Sequence, residues 1–193
     1  VLTFTMTACG SSTAITESAS TEESTPSAIT ESALTAESKP ATQYTIDANQ
    51  EGYALLDFED TAEFENATKG LIASPDTLDI YDENGKLVWS QTAYGFLDQD
   101  APDTANPSLW RNTQLNHIYG LFEVTDGIYQ VRGYDMSNVT FIKGDTGWIV
   151  VDPLMSVECA QAAFALVEEN LGTFPVKAVI YSHSHVDHFG GVK

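Results

Sequence analysis

Three of the four histidines in this 193-residue chain, His183, His185 and His188, fall within six positions of one another, and Asp187 lies between the last two. Imidazole and carboxylate donors at that spacing point to a divalent metal. An apolar run over residues 176–181 leads into the cluster. If it is a strand, His183 and His185 leave its end on the same face. They can then converge on one ion at roughly 2.0–2.1 Å from each nitrogen, the distance and chemistry of zinc. Asp187 and His188 are adjacent, diverge in an extended chain, and reach a second ion together only if the backbone turns there. Gly190 and Gly191 supply a sharp turn and close backbone approach. The pattern suits two ions about 3.5–4 Å apart, sharing a water or hydroxide that attacks an electrophile. Two plainer readings compete: a polar strand end that binds nothing, and an imidazole cluster that collects transition metals adventitiously.

The elements that must position this cluster are legible just upstream. Residues 148–151 read as a strand stopped by Asp152-Pro153, since proline cannot continue the ladder. Ser156 can cap a helix running to about Leu171, with Ala160, Ala163, Phe164, Val167 and Leu171 on one stripe and Gly172 as the stop. Residues 176–182 follow as a buried strand. Strand, helix and strand make a right-handed parallel crossover, which puts the histidines outside the carboxyl end of a strand, where sites of α/β sheets lie. Asp152 sits on the same rim; taken alone it is equally a turn residue leading into the helix. Further back, residues 121–124 and 128–132 form one hairpin about Asp126-Gly127, and residues 138–142 and 148–151 another. Residues 60–70 allow a short helix, residues 78–81 and 86–89 a tight hairpin about Asn84-Gly85, residues 98–107 a loop, and residues 107–115 a helix.

The run His183-x-His185-x-Asp187-His188 resembles, residue type by residue type, the first metal motif of the metallo-β-lactamase superfamily. The resemblance implies that His183 and His185 bind a first zinc, and that Asp187 and His188 bind a second. Asp187 is thereby also the catalytic residue of this stretch. It implies that Asp152 orients a zinc-bound histidine, fixing its tautomer and ring direction. It also implies an α/β fold, the αββα sandwich, of which this chain holds the N-terminal part, with further ligands beyond Lys193. Residues 89–96, 106–111 and 121–134 go further: they look like the N-terminal part of the alkylsulfatase branch, bacterial hydrolases of linear alkyl sulfates such as dodecyl sulfate. That likeness runs from about Phe58 to Lys193 and implies a homodimer, with a C-terminal sterol-carrier-like domain that holds the alkyl chain.

The start of the chain reads differently. Residues 1–9 resemble the end of a secretory signal, with Thr7-Ala8-Cys9 like a bacterial lipobox whose cysteine is lipidated. Residues 10–42 are nearly all Ser, Thr, Ala and Glu and repeat Ala-Ile-Thr-Glu-Ser-Ala, at 14–19 and 28–33. So little apolar surface cannot offset ordering entropy, and a disordered tether is expected. The protein is then exported and held on the outer side of the cytoplasmic membrane by lipid at Cys9. Residues 43–120 are an extension of the catalytic region, and residues 121–193 the start of the domain. A formal net charge of −20 argues against nucleic acid as a partner. Cys159 has no evident disulfide partner and reads as a small buried residue.

The expected activity is zinc-dependent hydrolysis of an alkyl sulfate by activated water, the chain by itself binding zinc weakly and turning over nothing. Iron and manganese are alternatives to zinc. Rivals are another hydrolase of the same fold, acting on a thioester, lactone or β-lactam, and a non-catalytic surface lipoprotein that binds zinc or an apolar ligand. Three features stay open: His117, more often structural; the aromatics Trp89, Tyr94, Phe96, Trp110, Tyr119 and Phe122, core or substrate channel; and Arg111 and Arg132, sulfate donors or ion pairs.

Overall fold

The apolar residues of 120–151 alternate along four successive strands, and that alternation builds the sheet on which the histidine cluster is mounted. The computed structural model describes residues 39–193, of which residues 40–193 form one unit. Cys9, the signal-like start and the tether up to residue 38 lie outside the described residues. The strands are β1 (Leu71–Ala73), β2 (Asp79–Tyr81), β3 (Leu87–Ser90), β4 (Gly120–Thr125), β5 (Ile128–Arg132), β6 (Val139–Gly144), β7 (Gly147–Val151) and β8 (Val176–Ile180). One six-stranded sheet runs β1-β4-β5-β6-β7-β8, and β2 and β3 pair separately. All neighbours are antiparallel except β7 and β8, which are parallel. The helices are α1 (Gln43–Leu55), α2 (Ala62–Thr68), α3 (Pro107–Asn116) and α4 (Val157–Leu171).

Cross-strand register explains the core. Val131 faces Val139, Tyr129 faces Phe141, and Phe141 faces Val150; Val131, Val139, Phe141, Trp148 and Val150 are all buried. Each such aliphatic or aromatic side chain contributes about 1.5–3 kcal/mol on burial. Helix α4 covers them. Ser156 caps it by accepting the Cys159 N–H, and Cys159, Ala163 and Val167, four apart, form its buried stripe. Phe164 on the same helix stacks on Phe141 at 6.0 Å. Trp148 stands edge-on to Tyr129, Phe141 and Phe174. The β2–β3 hairpin adds Leu78 and Ile80 to this core. Its turn is held by one Asp82 oxygen accepting the N–H groups of Asn84 and Lys86 at 2.9 Å each.

The expected α/β order, the three hairpins, the capped helix and the parallel crossover are all present, and they match the sandwich fold implied by the motif. Four features differ. Helix α1 is not legible in its sequence because it buries no residue and so carries no apolar stripe. It is held instead by Asn49 donating to the Asp103 carbonyl at 2.8 Å and by Gly52 lying against Pro107. Strand β1 has only three residues, too few to show a period, and joins β4 through the Glu123 N–H bonded to the Gly70 carbonyl. Residues Thr92–Asp98 form 3-10 turns. The expected buried strand over 176–182 is shorter, ending at Ile180, and all five of its residues are exposed. It is the edge of the sheet, paired only with β7; apolar composition alone does not tell an edge strand from a central one.

Burial governs two groups in this core. It pushes the Cys159 thiol up to about 11, against a smaller lowering by Ser156, and the Tyr134 hydroxyl up to about 12. Both are neutral acids with folded values raised above their ordinary ones. The contribution of Cys159 is therefore complete below about pH 9 and lost as pH rises through about 11, and that of Tyr134 is complete below about pH 10 and lost as pH rises through about 12. In a Cys9→Ser background, Cys159 is expected to resist iodoacetamide at pH 8 until denaturant is added, and thermal stability to fall from pH 9 upward; rapid labelling of the native protein would contradict this burial.

Candidate metal centre

Strand β7 stops at Val151 and β8 at Ile180, and the two loops that follow are welded by a single carboxylate. Asp152 Oδ1 accepts the Ser182 N–H at 2.7 Å; Asp152 Oδ2 accepts the Ser182 hydroxyl at 2.5 Å and lies 2.9 Å from His188 Nδ1. Main-chain bonding reinforces the weld, Asp152 N–H to the Ile180 carbonyl at 2.9 Å. Burial pushes the Asp152 carboxyl up, but the Ser182 hydroxyl and amide and the His188 imidazole outweigh it and hold it below the ordinary carboxylate value.

The chain turns after His185, as the cluster requires. Val186–His188 is a single 3-10 turn, with His188 N–H bonded to the His185 carbonyl and Gly190 N–H to the Val186 carbonyl. The two glycines then press against the loop after β7. A Cβ on Gly190 would lie 2.1 Å from the Met155 carbonyl oxygen, and one on Gly191 2.2 Å from that of Pro153. Asp152 and Leu154 have positive φ, 54° and 62°, which costs non-glycine residues on the order of 1–3 kcal/mol each. The loop accepts that strain and thereby presents both the Asp152 carboxylate and the carbonyls beneath the glycines.

Hydrogen bonding fixes the histidine tautomers. The one Ser182 hydroxyl proton is donated to Asp152, so at 2.9 Å His183 Nδ1 must donate to Ser182 Oγ, leaving Nε2 with its lone pair. His188 Nδ1 donates to Asp152, leaving its Nε2 likewise free. Each Nε2 already has a partner: His183 Nε2 is hydrogen-bonded to His185 Nδ1 at 3.0 Å, and His188 Nε2 meets Asp187 Oδ2 at 3.1 Å. A bare nitrogen and a carboxylate oxygen at that distance repel unless a cation, proton or metal ion, stands with them. As the side chains stand, one proton shared within each pair satisfies it; imidazole nitrogen and carboxylate oxygen are also donor types that suit a divalent ion in the proton's place. Among the described residues no group of three or more His, Cys, Asp or Glu side chains is placed to hold a metal ion.

Other candidates fall elsewhere. Arg111 donates to the carbonyls of Phe58 and Asp60 and approaches Glu63 at 3.5 Å, tying α2 to α3. Arg132 lies over the Phe122 ring at 4.2 Å and bonds Gln130; burial lowers its pKa. Both are occupied within the fold rather than turned to an anion. His117 bonds the buried Gln91 at 2.8 Å, and Gln91 donates in turn to the Gly133 carbonyl, a structural bridge. Phe122 is core, Trp89 packs against it, and Phe96 is half exposed. Ser182, which bonds both Asp152 and His183, carries no signal in the sequence beyond its place beside His183.

The weld carries a test. Replacing Asp152 with Ala is expected to lower zinc affinity roughly 10- to 100-fold, as loss of a ligand-orienting carboxylate does, and Asp152→Asn less, because one acceptor oxygen survives. Titration calorimetry on variants with native circular dichroism decides it; unchanged affinity in Asp152→Ala would remove Asp152 from the site.

Residues 132–193 match the model of the metallo-beta-lactamase superfamily. The chain is 50% identical over 155 residues to a linear primary-alkylsulfatase of a Pseudomonas species, covering 79% of this chain and 23% of that protein. It is 48% identical over 150 residues to an alkyl/aryl-sulfatase of Saccharomyces cerevisiae, covering 77% and 23%. A solved structure of a stereoselective inverting sec-alkylsulfatase from Pseudomonas superposes with a TM-score of 0.77 at 50% identity, over 81% of this chain and 25% of that one. The chain therefore spans about a quarter of the length of the relatives it matches.

Proposed function

We propose that this chain, which carries the metallo-beta-lactamase superfamily's pattern over residues 132–193 and is half identical to alkylsulfatases, is part of a hydrolase of alkyl sulfate esters. The observation that supports the reading is the contact of His183 Nε2 with His185 Nδ1 and of His188 Nε2 with Asp187 Oδ2, which gathers four metal-type donors at one turn of a chain with that likeness. His183 and His185 would hold one zinc, Asp187 and His188 the other, with further donors supplied from outside these residues. When bound, such ions neutralise charge on an anionic ester and activate water.

The chain's own residues prepare that chemistry. Asp152 and Ser182 hold the imidazoles of His188 and His183 in the tautomer that leaves the inward nitrogen free. Their ring directions are set before any substrate arrives, which removes reorganisation from the reaction. The backbone pressed under Gly190 and Gly191 closes that side of the site. With a formal net charge of −20 over these 193 residues and Arg111 and Arg132 engaged elsewhere, this part of the protein offers an anionic substrate little favourable charge, which bound ions would supply.

The substrates we infer are linear alkyl sulfates such as dodecyl sulfate, cleaved to alcohol and sulfate by a homodimer. Thr7-Ala8-Cys9 supports export and anchoring by lipid. The test is sulfate release from dodecyl sulfate by the whole protein, with His185→Ala alongside. Release is expected from the parent, with at least a 100-fold loss in the variant, and recovery of stripped parent enzyme on adding zinc. A folded, zinc-loaded protein that leaves dodecyl sulfate intact but opens a thioester, lactone or β-lactam would keep the site and replace the substrate.

A further inference from the structure

The segment between β5 and β6 contains two side chains that reach both loops of the site. Asp135, 5% exposed, accepts the Met136 N–H at one carboxylate oxygen and the Met155 N–H at the other, the latter at 2.8 Å. Among the described residues no cation pairs with it. Met155 is the residue whose carbonyl lies under Gly190. Two positions on, Ser137 Oγ donates to the main-chain carbonyl of Asp187 at 2.5 Å. One short segment therefore grips the loop after β7 through Asp135 and the donor turn through Ser137, from the side opposite to the Asp152 weld in sequence order. A buried carboxylate facing two amides and no cation is an expensive way to hold a loop, and it is retained here at the point where that loop supports the donor turn.

We propose that Asp135 and Ser137 are positioning residues that fix the Asp187–His188 turn relative to Asp152, and so set the affinity of the Asp187–His188 pair for its ion; this rests on the metal-site reading above. Neither side chain touches a free donor nitrogen. Ser137 acts through the peptide that carries Asp187, whose φ/ψ decide where its carboxylate meets His188 Nε2. Asp135 acts through Met155, whose carbonyl is the floor on which Gly190 closes the turn.

The experiment compares the whole protein with Ser137→Ala, Ser137→Thr and Asp135→Asn. Cobalt(II) is the probe: its affinity is read by competition with a chromogenic chelator, its geometry from the visible absorption bands, and the melting temperature of each metal-stripped protein is measured in parallel. Ser137→Ala is expected to weaken the looser of the cobalt sites roughly 10-fold or more and to alter its bands, while the stripped protein melts within a few degrees of the parent. Ser137→Thr, which keeps the hydroxyl, is expected to restore affinity and bands. Asp135→Asn, with one acceptor oxygen left, is expected to fall between them. Cobalt affinity and bands in Ser137→Ala indistinguishable from the parent would overturn the proposal, as would a loss that Thr does not repair. A parent protein that takes up no cobalt would instead sink the metal-site reading itself, so the two failures are told apart by the parent alone.

Discussion

A single buried-side carboxylate sets the arrangement at the rim of this sheet. Asp152 receives a main-chain amide, a hydroxyl and an imidazole N–H, and so joins the end of β7 to the end of β8 and to the turn that follows it. Charge-assisted bonds of this kind are about twice as strong as neutral ones. The carboxylate earns its place by strain as well, because it is presented from a residue at φ 54° with Leu154 at 62° close behind. That conformation persists because Leu154 is fully buried and Gly191 N–H bonds its carbonyl at 3.1 Å.

The electrostatics follow from the same centre. Ordinarily an anion-processing surface is recognised by free arginines, and here both candidates are spent on architecture: one on carbonyls and Glu63, the other over a phenyl ring. What gathers at the rim is a set of imidazole and carboxylate groups in contact with one another, His183 with His185 and His188 with Asp187. A protein surface so arranged attracts cations first and anions only afterwards.

The site was readable in the sequence where it is local and unreadable where it is not. His183 to His188 announced themselves because their donors are a few residues apart, and the glycines after them because close packing tolerates nothing larger. The helix between β7 and β8 was marked by Ser156 and Gly172 at its ends. Ser137 and Asp135 gave no signal: their partners lie 50 and 20 residues away, and a lone Ser or Asp in a Gly-flanked bend looks like any other. Helix α1 escaped because its stability does not come from an apolar stripe. Strand β8 was legible as a strand and misread as buried, since Val176, Val179 and Ile180 are apolar but lie exposed on the sheet's edge.

Cys159 has a bearing on how such a rim would be populated. Soft divalent ions choose thiolate over imidazole when both are offered, and a reactive thiol in the same fold would be a trap. Buried under the helix cap and held protonated until about pH 11, this sulfur is not on offer. Among the described residues there is no other thiol, so within this fold an ion at the donor turn would be met by nitrogen and oxygen, with no sulfur of the core competing for it.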